Sequence, residues 1–231
     1  TVTRTGTWTT VSGSNMAHNG NYSRTSVVSS TLTFTFTGVW VSIGYLAATD
    51  GRTFDVEIDG VSQGVIDSYV NRADTPMSAV YAGLSAGEHV VRITTLSGKN
   101  AFASATAYAK IDYFDVWDGS ALADGTFEHT DGRVILGPGW TTQTLATASG
   151  GSYARSPFSF GVAWLAFTGD SVSYRMIKDF SNAGAVSVFV DGVLKADLDL
   201  YSTLLTGSSV TTPVVSFNGL GAGAHIGLGV A

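Results

Sequence analysis

The chain has 231 residues, of which only 13% are charged, and its formal net charge is −6. The Lys and Arg residues are scattered singly, so the sequence does not predict a nucleic-acid partner, which would require a basic cluster. The absence of cysteine excludes disulfide bonds and thiolate metal sites, and no apolar run is long enough to predict a membrane span. Short apolar runs between Thr, Ser and Gly residues are typical of an all-β protein.

The first predicted elements occur in both halves of the sequence in the same order. They are an opening strand that ends on Trp, a Tyr-x-Arg segment, and two successive strands in which apolar residues alternate with polar ones. In the two halves they occupy residues 1–8 and 133–140, 22–24 and 153–155, 32–38 and 163–169, and 39–45 and 170–176. The sequence therefore predicts a duplicated unit.

A β-hairpin is predicted at residues 53–69 and again at residues 185–201. In each copy, alternating apolar residues lead into an Asp-Gly pair, Asp59-Gly60 or Asp191-Gly192. Asp-Gly favours the left-handed backbone of a tight hairpin turn. This hairpin is the clearest part of the repeat.

Loops containing Thr75-Pro76 and Thr212-Pro213 are predicted next, followed in each copy by a glycine-rich turn that ends in His89 or His225. None of the four histidines has the spacing of a zinc site such as HExxH. We therefore interpret His89 and His225 as hydrogen-bonded structural residues.

A final strand is predicted at residues 109–116 and has no counterpart after His225. The predicted domains are a jelly-roll β-sandwich at residues 1–118, a linker at 119–125, and a second jelly-roll sandwich at 126–231 that lacks its last strand. A piece of a longer array would have this form, and so would a subunit whose open sheet is completed by a neighbour's strand.

The repeated motifs resemble those of jelly-roll β-sandwich modules, the galactose-binding-like and carbohydrate-binding modules of bacterial surface and phage virion proteins. The resemblance implies an all-β fold of two tandem antiparallel β-sandwiches of jelly-roll type, and such sandwiches serve sugar binding, adhesion, capsid decoration or spacing. The matching segments are Gly6-Thr-Trp8, Gly139-Trp140, Phe36-Thr-Gly38, Phe167-Thr-Gly169, Asp59-Gly60, Asp191-Gly192, Gly83-Leu-Ser-Ala-Gly-Glu-His89, Gly219-Leu-Gly-Ala-Gly-Ala-His225 and Ile111-Asp-Tyr-Phe-Asp-Val116.

No catalytic residue is predicted. Gly169-Asp170-Ser171 looks like the nucleophile block of GDSL-type esterases, in which an Asp-x-x-His block activates the serine, but none of the four histidines follows an Asp at that spacing. Ser171 also aligns with Trp40 of the first copy, which indicates an ordinary strand residue. We expect the protein not to be an enzyme.

The family resemblance implies one candidate metal site and no other cofactor. Carbohydrate-binding jelly rolls often hold a structural calcium between an early acidic residue and one near the last strand, and carboxylate oxygens suit that ion. The candidate ligands are Asp112, Asp115, Glu128 and Asp131, with one half of the pair present in each copy.

Sugar binding requires an exposed aromatic ring near carboxylates, amides or Arg. Side chains of these kinds occur near the predicted loops at one end of each sandwich. The candidate ligand-binding residues are Trp40, Tyr45, Asp50, Arg52, Asn71 and Arg72 in the first copy, and Tyr174, Lys178, Asp179 and Tyr201 in the second.

Two functional hypotheses remain open. The first is a non-catalytic glycan-binding or adhesion module pair of a larger secreted, cell-surface or virion protein, with a glycan or cell-surface polysaccharide as partner. The second is a structural subunit of an extracellular filament or phage fibre, in which neighbouring copies exchange strands. Both predict an extracellular, cell-surface or virion location.

Overall fold

A computed structural model describes residues 1–118, 125–137, 139–157, 161–180, 183–203 and 210–230. The chain divides into two compact units, Thr1–Gly119 (unit 1) and Ser120–Ala231 (unit 2). Residues 119–124 of the predicted linker lie outside the described residues, so the predicted domain limits stay predictions.

The described residues form strands joined by turns, together with two single-turn 3-10 helices and no α-helix. The 3-10 helices are His18–Gly20 and Ser149–Gly151. The strands of unit 1 are β1 (Val2–Thr5), β2 (Thr9–Ser12), β3 (Asn21–Thr25), β4 (Thr31–Ala47), β5 (Thr53–Ile58), β6 (Val61–Asp67), β7 (Thr75–Thr95) and β8 (Ala109–Trp117). Those of unit 2 are β9 (Val134–Leu136), β10 (Thr141–Thr144), β11 (Ser152–Arg155), β12 (Val162–Thr168), β13 (Ser171–Arg175), β14 (Lys178–Asp179), β15 (Ala185–Val190), β16 (Val193–Asp199), β17 (Val210–Thr211), β18 (Val214–Asn218) and β19 (Ala224–Val230).

Two long strands, β4 and β7, run through both layers of unit 1. They pair antiparallel along their length, with a register shift between Gly38 and Trp40. On one side of the shift, the pair is flanked by β1 and by β5 with β6, and these strands form the first layer. On the other side, β8 pairs with β4 and is followed by β3 and β2, and these strands form the second layer. Phe34 of the first layer stacks on Phe114 of the second, with ring centroids 4.4 Å apart. The two layers therefore face each other as a β-sandwich.

Alternation along the strands fills the space between these layers. In β5, the apolar residues Phe54, Val56 and Ile58 are buried, and the polar residues between them are partly exposed. Each large side chain buried in this way contributes about 1.5–3 kcal/mol of hydrophobic stabilisation. The core of unit 1 is formed by Leu32, Phe36, Val41, Ile43, Tyr45, Ala47, Phe54, Val56, Ile58, Val91, Ile93, Ala109 and Ile111.

Unit 2 repeats the first layer of unit 1. Its five-stranded sheet has the order β16-β15-β19-β12-β9, which corresponds to β6-β5-β7-β4-β1. The register is the same as well, since Val2 lies opposite Phe34 and Val134 lies opposite Leu165. Among the described residues of the unit, the antiparallel pairs β10–β11, β13–β18 and β14–β17 form three further two-stranded sheets. The prediction of an all-β chain of tandem antiparallel sandwiches is confirmed.

The second layer differs between the units at one position. In unit 1, β8 lies between β3 and β4 and pairs with both. In unit 2, β11 pairs with β10 and β13 pairs with β18, and no strand among the described residues lies between β11 and β13.

The predicted Asp-Gly turns are confirmed in both hairpins. Asp59 and Gly60 have φ of 51° and 78°, and Asp191 and Gly192 have φ of 52° and 75°. Two successive residues with positive φ define the hairpin turn whose twist matches that of the flanking strands. Asp tolerates this conformation better than most residues that carry a Cβ.

Each turn aspartate also holds the buried histidine of its unit, an arrangement called here the His-Asp clasp. In unit 1, Asp59 Oδ2 lies 2.6 Å from His89 Nδ1, and Asp59 Oδ1 accepts a hydrogen bond from Val90 N at 2.9 Å. His89 Nε2 lies 2.7 Å from Ser85 O. Because both ring nitrogens face oxygen acceptors, the protonated ring can donate both hydrogen bonds. The hydrogen bond to Asp59 raises the pKa of His89, and the same bond lowers the pKa of Asp59.

Unit 2 contains the same clasp. His225 Nδ1 lies 2.7 Å from Asp191 Oδ2, its Nε2 lies 3.0 Å from Gly221 O, and Ile226 N donates to Asp191 Oδ1 at 2.9 Å. The hydrogen bond to Asp191 raises the pKa of His225. The interpretation of both histidines as hydrogen-bonded structural residues agrees with this geometry.

Two sequence-based expectations for unit 1 were wrong. Residues 32–38 and 39–45 form one strand, β4, because β7 follows it past the register shift at Gly38. Thr75-Pro76 is the start of β7 and not a loop. Proline fits there because the first residues of a strand can lack a donor without breaking the ladder.

Candidate functional site

The repeated Asp-x-Tyr segment at the end of the hairpin organises one end of each unit. In unit 1, Asp67 Oδ1 accepts a hydrogen bond from Tyr69 N at 3.0 Å, and Tyr69 bridges to Ala48. This contact joins the segment after β6 to the loop after β4. The residues between β4 and β5, between β6 and β7 and between β7 and β8 therefore converge, and they are called here the loop end of unit 1.

A buried ion pair fixes two of these loops. Lys110 of β8 has a buried side chain, and its Nζ lies 2.6 Å from Asp50 Oδ1 and 2.6 Å from Asp74 Oδ1. Burial lowers the pKa of Lys110, but its hydrogen bonds to the two carboxylates outweigh that effect and raise the pKa above its usual value. Asp50, a predicted ligand-binding residue, is thus bound to Lys110.

Arg52, another predicted ligand-binding residue, connects the two ends of the loop between β7 and β8. Its Nε donates to Ala107 O at 3.1 Å, and one terminal nitrogen donates to Leu96 O at 3.0 Å. Ser68 Oγ in turn donates to Arg52 O at 2.8 Å. These contacts give Arg52 a structural role.

The loop held in this way presents an aromatic ring to solvent. Phe102 is 82% exposed. Beneath it, Lys99 Nζ donates to the carbonyl oxygens of residues 103, 104 and 105 at 3.4, 2.6 and 3.4 Å, and Asn100 Oδ1 accepts from Phe102 N at 3.1 Å. These hydrogen bonds constrain the backbone that carries Phe102.

Polar groups lie beside this loop. Thr49 O accepts from Ser104 N at 3.0 Å, and Thr49 N donates to Arg72 O at 3.1 Å, so Thr49 joins the Phe102 loop to the loop before β7. The predicted residues Asn71 and Arg72 are exposed there. Asn100 also contacts Asp67, through Nδ2 to Oδ2 at 3.3 Å. The loop end of unit 1 thus combines an exposed ring with amide, guanidinium and carboxylate groups.

Unit 2 has an aromatic pair at the corresponding end. Phe180 and Tyr201 are both 40% exposed and stack with ring centroids 5.9 Å apart. Tyr201 N donates to Asp199 Oδ1 at 2.9 Å, and Tyr201 bridges to Asp179, as Tyr69 does to Ala48. The predicted residues Lys178 and Asp179 form β14 and are partly exposed. Three of the four predicted residues of unit 2 therefore lie together, with Tyr174 on β13 apart from them.

Two predicted aromatic residues are not available to a ligand. Trp40 is 2% exposed and Tyr45 is also buried, with its ring edge-on to Phe54 at 5.6 Å. Burial raises the pKa of Tyr45 to about 12. The assignment of these two side chains to a sugar surface is corrected, because a stacking ring must offer one face to solvent.

The predicted calcium ligands do not form an ion shell. Burial raises the pKa of Asp112 to about 6 and also raises that of Asp115, whereas in unit 2 Glu128 accepts from Ser149 Oγ at 2.5 Å and Asp131 pairs with Arg133 at 2.7 Å. In the described ranges, no group of three or more His, Cys, Asp or Glu side chains could hold a metal ion. These residues do not fit a calcium site.

Sequence reasoning missed Phe102 and Phe180, the exposed rings. Phe102 stands between two alanines in a segment without strand alternation. This pattern is the sequence signal that the Phe102 ring lies outside the core. Phe180 follows the predicted ligand-binding residues Lys178 and Asp179. Its exposure and its stacking on Tyr201, which distinguish it from a core residue, are visible only in the structure.

No protein-family model matches the chain, and the comparison with curated proteins found no match. Among solved structures, 98% of the chain aligns with 24% of a xanthan lyase from Paenibacillus, at 20% identity and a TM-score of 0.43. An exo-β-1,3-galactanase from Phanerochaete chrysosporium aligns over 49% of this chain and 26% of its own, at 20% identity and a TM-score of 0.35. The tandem CBM22 domains of Paenibacillus barcinonensis Xyn10C align over 100% of this chain and 85% of theirs, at 8% identity and a TM-score of 0.31.

The chain spans about a quarter of the length of the first two proteins. None of the three likenesses assigns an activity to it. In the part of the chain that the structure describes, no helix has the length and apolar character required to cross a bilayer.

Proposed function

We propose that the chain is a non-catalytic pair of glycan-binding modules of an extracellular protein, and that each unit contacts sugar through its loop end. Adhesion to a cell surface or attachment to a virion would use the same two surfaces. The observation that carries this proposal is the exposed ring of Phe102 on a loop whose carbonyl oxygens accept hydrogen bonds from Lys99.

An exposed aromatic ring suits the apolar face of a pyranose. The ring buries apolar area without breaking a hydrogen bond, and polar groups around it can bond the sugar hydroxyls. Asn100 lies two residues before Phe102, and Asn71 and Arg72 are exposed on the loop that Thr49 joins to the Phe102 loop. Their side chains offer donors and acceptors of this kind. The hydrogen bonds from Lys99 restrict the loop, and such a restriction lowers the conformational entropy that is lost on binding.

Unit 2 supports the same function with a different surface. Phe180 and Tyr201 form a stacked platform in place of a single ring, and Lys178 and Asp179 lie beside it. Different surfaces at the same end of two duplicated units would give one chain two sites with distinct sugar preferences.

The test is a titration of the full chain with a panel of neutral and acidic soluble polysaccharides, followed by substitution. We expect Phe102→Ala and Tyr201→Ala each to weaken binding to at least one polysaccharide about tenfold, the equivalent of ~1.4 kcal/mol. Val61→Ala and Val193→Ala are the matched controls, because these side chains are similarly exposed but lie at the opposite end of the hairpins.

Two results would contradict the proposal. One is the absence of binding across the whole panel. The other is binding that Phe102→Ala and Tyr201→Ala leave unchanged while either valine control weakens it.

A further inference from the structure

The loop end of unit 1 carries more positive than negative charge, although the chain as a whole is acidic. It comprises the charged residues of the three loops and those that contact these loops directly. The cations are Arg24, Arg52, Arg72, Lys99 and Lys110, and the carboxylates are Asp50, Asp67 and Asp74. Five cations and three carboxylates give a formal net charge of +2, whereas the whole chain has −6. The fold therefore concentrates positive charge at this end.

Most of this positive charge is not compensated by a carboxylate. Asp50 and Asp74 both bind Lys110, whose Nζ lies 2.6 Å from each. The hydrogen bonds of Arg52 and Lys99 go to backbone carbonyl oxygens, such as the 2.6 Å bond from Lys99 Nζ to the carbonyl oxygen of residue 104. A carbonyl oxygen satisfies a donor but carries no net charge. The charges of Arg52 and Lys99 therefore act on the surface that carries Phe102.

Arg72 is the exposed cation beside this surface. Among the described residues, its guanidinium has neither an ion-pair nor a hydrogen-bond partner. Its backbone is held on both sides, because Arg72 N donates to Val70 O at 2.8 Å and Arg72 O accepts from Thr49 N at 3.1 Å. Thr49 O accepts in turn from Ser104 N at 3.0 Å, two residues after Phe102. The guanidinium and the exposed ring thus lie on two loops that Thr49 joins.

An exposed ring and an unpaired guanidinium together suit one class of sugar. A pyranose that stacks on an aromatic ring keeps its substituents at the rim of the contact, and in a uronic acid one of these substituents is a carboxylate. Arginine binds a carboxylate through two parallel hydrogen bonds, which are stronger than those to a neutral hydroxyl. A neutral sugar would gain the stacking contact without this ion pair.

Given the glycan binding proposed above, we infer that the loop end of unit 1 selects acidic polysaccharides. A uronic acid residue stacks on Phe102 and places its carboxylate on Arg72. Lys99 and Arg52 add attraction at longer range, since charges interact over ~10 Å at moderate ionic strength. The platform of unit 2 lacks this excess of cations, because Lys178 is accompanied there by the carboxylates of Asp179 and Asp199.

The experiment compares two acidic polymers, polygalacturonate and polymannuronate, with their carboxyl-reduced forms, which keep the linkage and lose the charge. The full chain carries Tyr201→Ala so that the surface of unit 2 contributes little. By titration calorimetry, we expect at least one acidic polymer to bind about tenfold more tightly than its reduced form in about 0.1 M NaCl. In about 1 M NaCl the preference should fall to about threefold or less, because the screening length shortens from ~10 Å to ~3 Å.

Substitution of Arg72 locates the preference. Arg72→Gln should reduce it to about twofold, and Arg72→Glu should abolish it, because a second carboxylate repels the ligand. Arg92→Gln is the matched control, since it removes the same charge from an exposed arginine of unit 1 that pairs with Glu57 at 3.5 Å near the Asp59 turn. The control should leave the preference unchanged, and circular dichroism checks that each variant is folded.

The outcomes separate selectivity from glycan binding itself. Binding of a reduced form or of another neutral polysaccharide, with no preference for an acidic polymer, would overturn the selectivity and leave the proposed function in place. Failure to bind any polysaccharide would overturn both. A preference that Arg72→Gln and Arg92→Gln lower equally would reflect the total charge of the chain, and it would refute the role of the loop end.

Discussion

The His-Asp clasp makes the stability of unit 1 depend on pH, and Asp59→Asn isolates that dependence. Asparagine tolerates the positive φ of position 59 and can still accept the hydrogen bond from Val90 N through its side-chain oxygen. The substitution therefore removes the charge and keeps the turn. A hydrogen bond between charged groups is worth about 1.5–3 kcal/mol when buried. Because the Asp59 side chain is 47% exposed, solvent screening reduces our expectation to ~1 kcal/mol.

The sign of the pH dependence follows from the two pKa shifts. The pKa of His89 in the folded state lies above its ordinary 6.5, so its contribution is complete below pH 6.5 and is lost as pH rises through the folded-state value. The pKa of Asp59 lies below its ordinary 3.8, so its contribution is present above pH 3.8 and is lost as pH falls through the lowered value. The clasp is therefore strongest between about pH 4 and pH 6.5.

Urea unfolding at pH 5.5 and at pH 8.5, followed by tryptophan fluorescence, measures the effect. We expect Asp59→Asn to lower the free energy of unfolding by ~1 kcal/mol at pH 5.5 and by less at pH 8.5. Asp55→Asn is the matched control, because Asp55 lies on the same hairpin and contacts Ser62 and not a histidine. An equal loss at both pH values, or a control that shows the same pH dependence, would refute the reasoning.

Three further predictions follow from individual contacts. Lys110→Met should lower the free energy of unfolding by ~1–3 kcal/mol in denaturant titrations, because it leaves the carboxylates of Asp50 and Asp74, which are 26% and 30% exposed, without their shared cation. Gly44→Ala should cost ~1–3 kcal/mol by the same measurement, because its Cβ would collide with the ring of Tyr113; a loss below ~0.5 kcal/mol would contradict that packing. Lys99→Ala should speed proteolytic cleavage near Phe102 several-fold without changing the unfolding midpoint of unit 1, because it releases three carbonyl oxygens of an exposed loop.

The duplicated hairpin was predictable because its determinants are local. Asp-Gly favours a specific backbone, and alternation assigns one face of each flanking strand to the core, so the position of β5 with β6 and of β15 with β16 follows from short segments. Their full register does not, because it shifts between Val56 and Glu57 and between Val188 and Phe189. The role of Asp59 in holding His89 did not follow from them. That contact joins residues far apart in sequence, and nothing near position 59 indicates it.

For the ligand-binding candidates too, the local sequence did not reveal contacts with distant residues. Trp40 and Tyr45 lie on β4, where both faces are covered, and alternation cannot reveal whether a second face is buried. Asp50 and Arg52 lie at the loop end of unit 1, but the partners that bind them, Lys110 and Ala107, come from distant segments. Burial and pairing of a polar side chain depend on such contacts across the sandwich, which a linear pattern does not contain.

The core and the loop end of unit 1 are physically connected through one strand. β8 contributes Ile111 to the core and Lys110 to the ion pair with Asp50 and Asp74, so the same strand fills the sandwich and fixes two of the loops at the loop end. A change in β8 that loosens the core is therefore expected to loosen these loops as well, because both depend on the position of one strand.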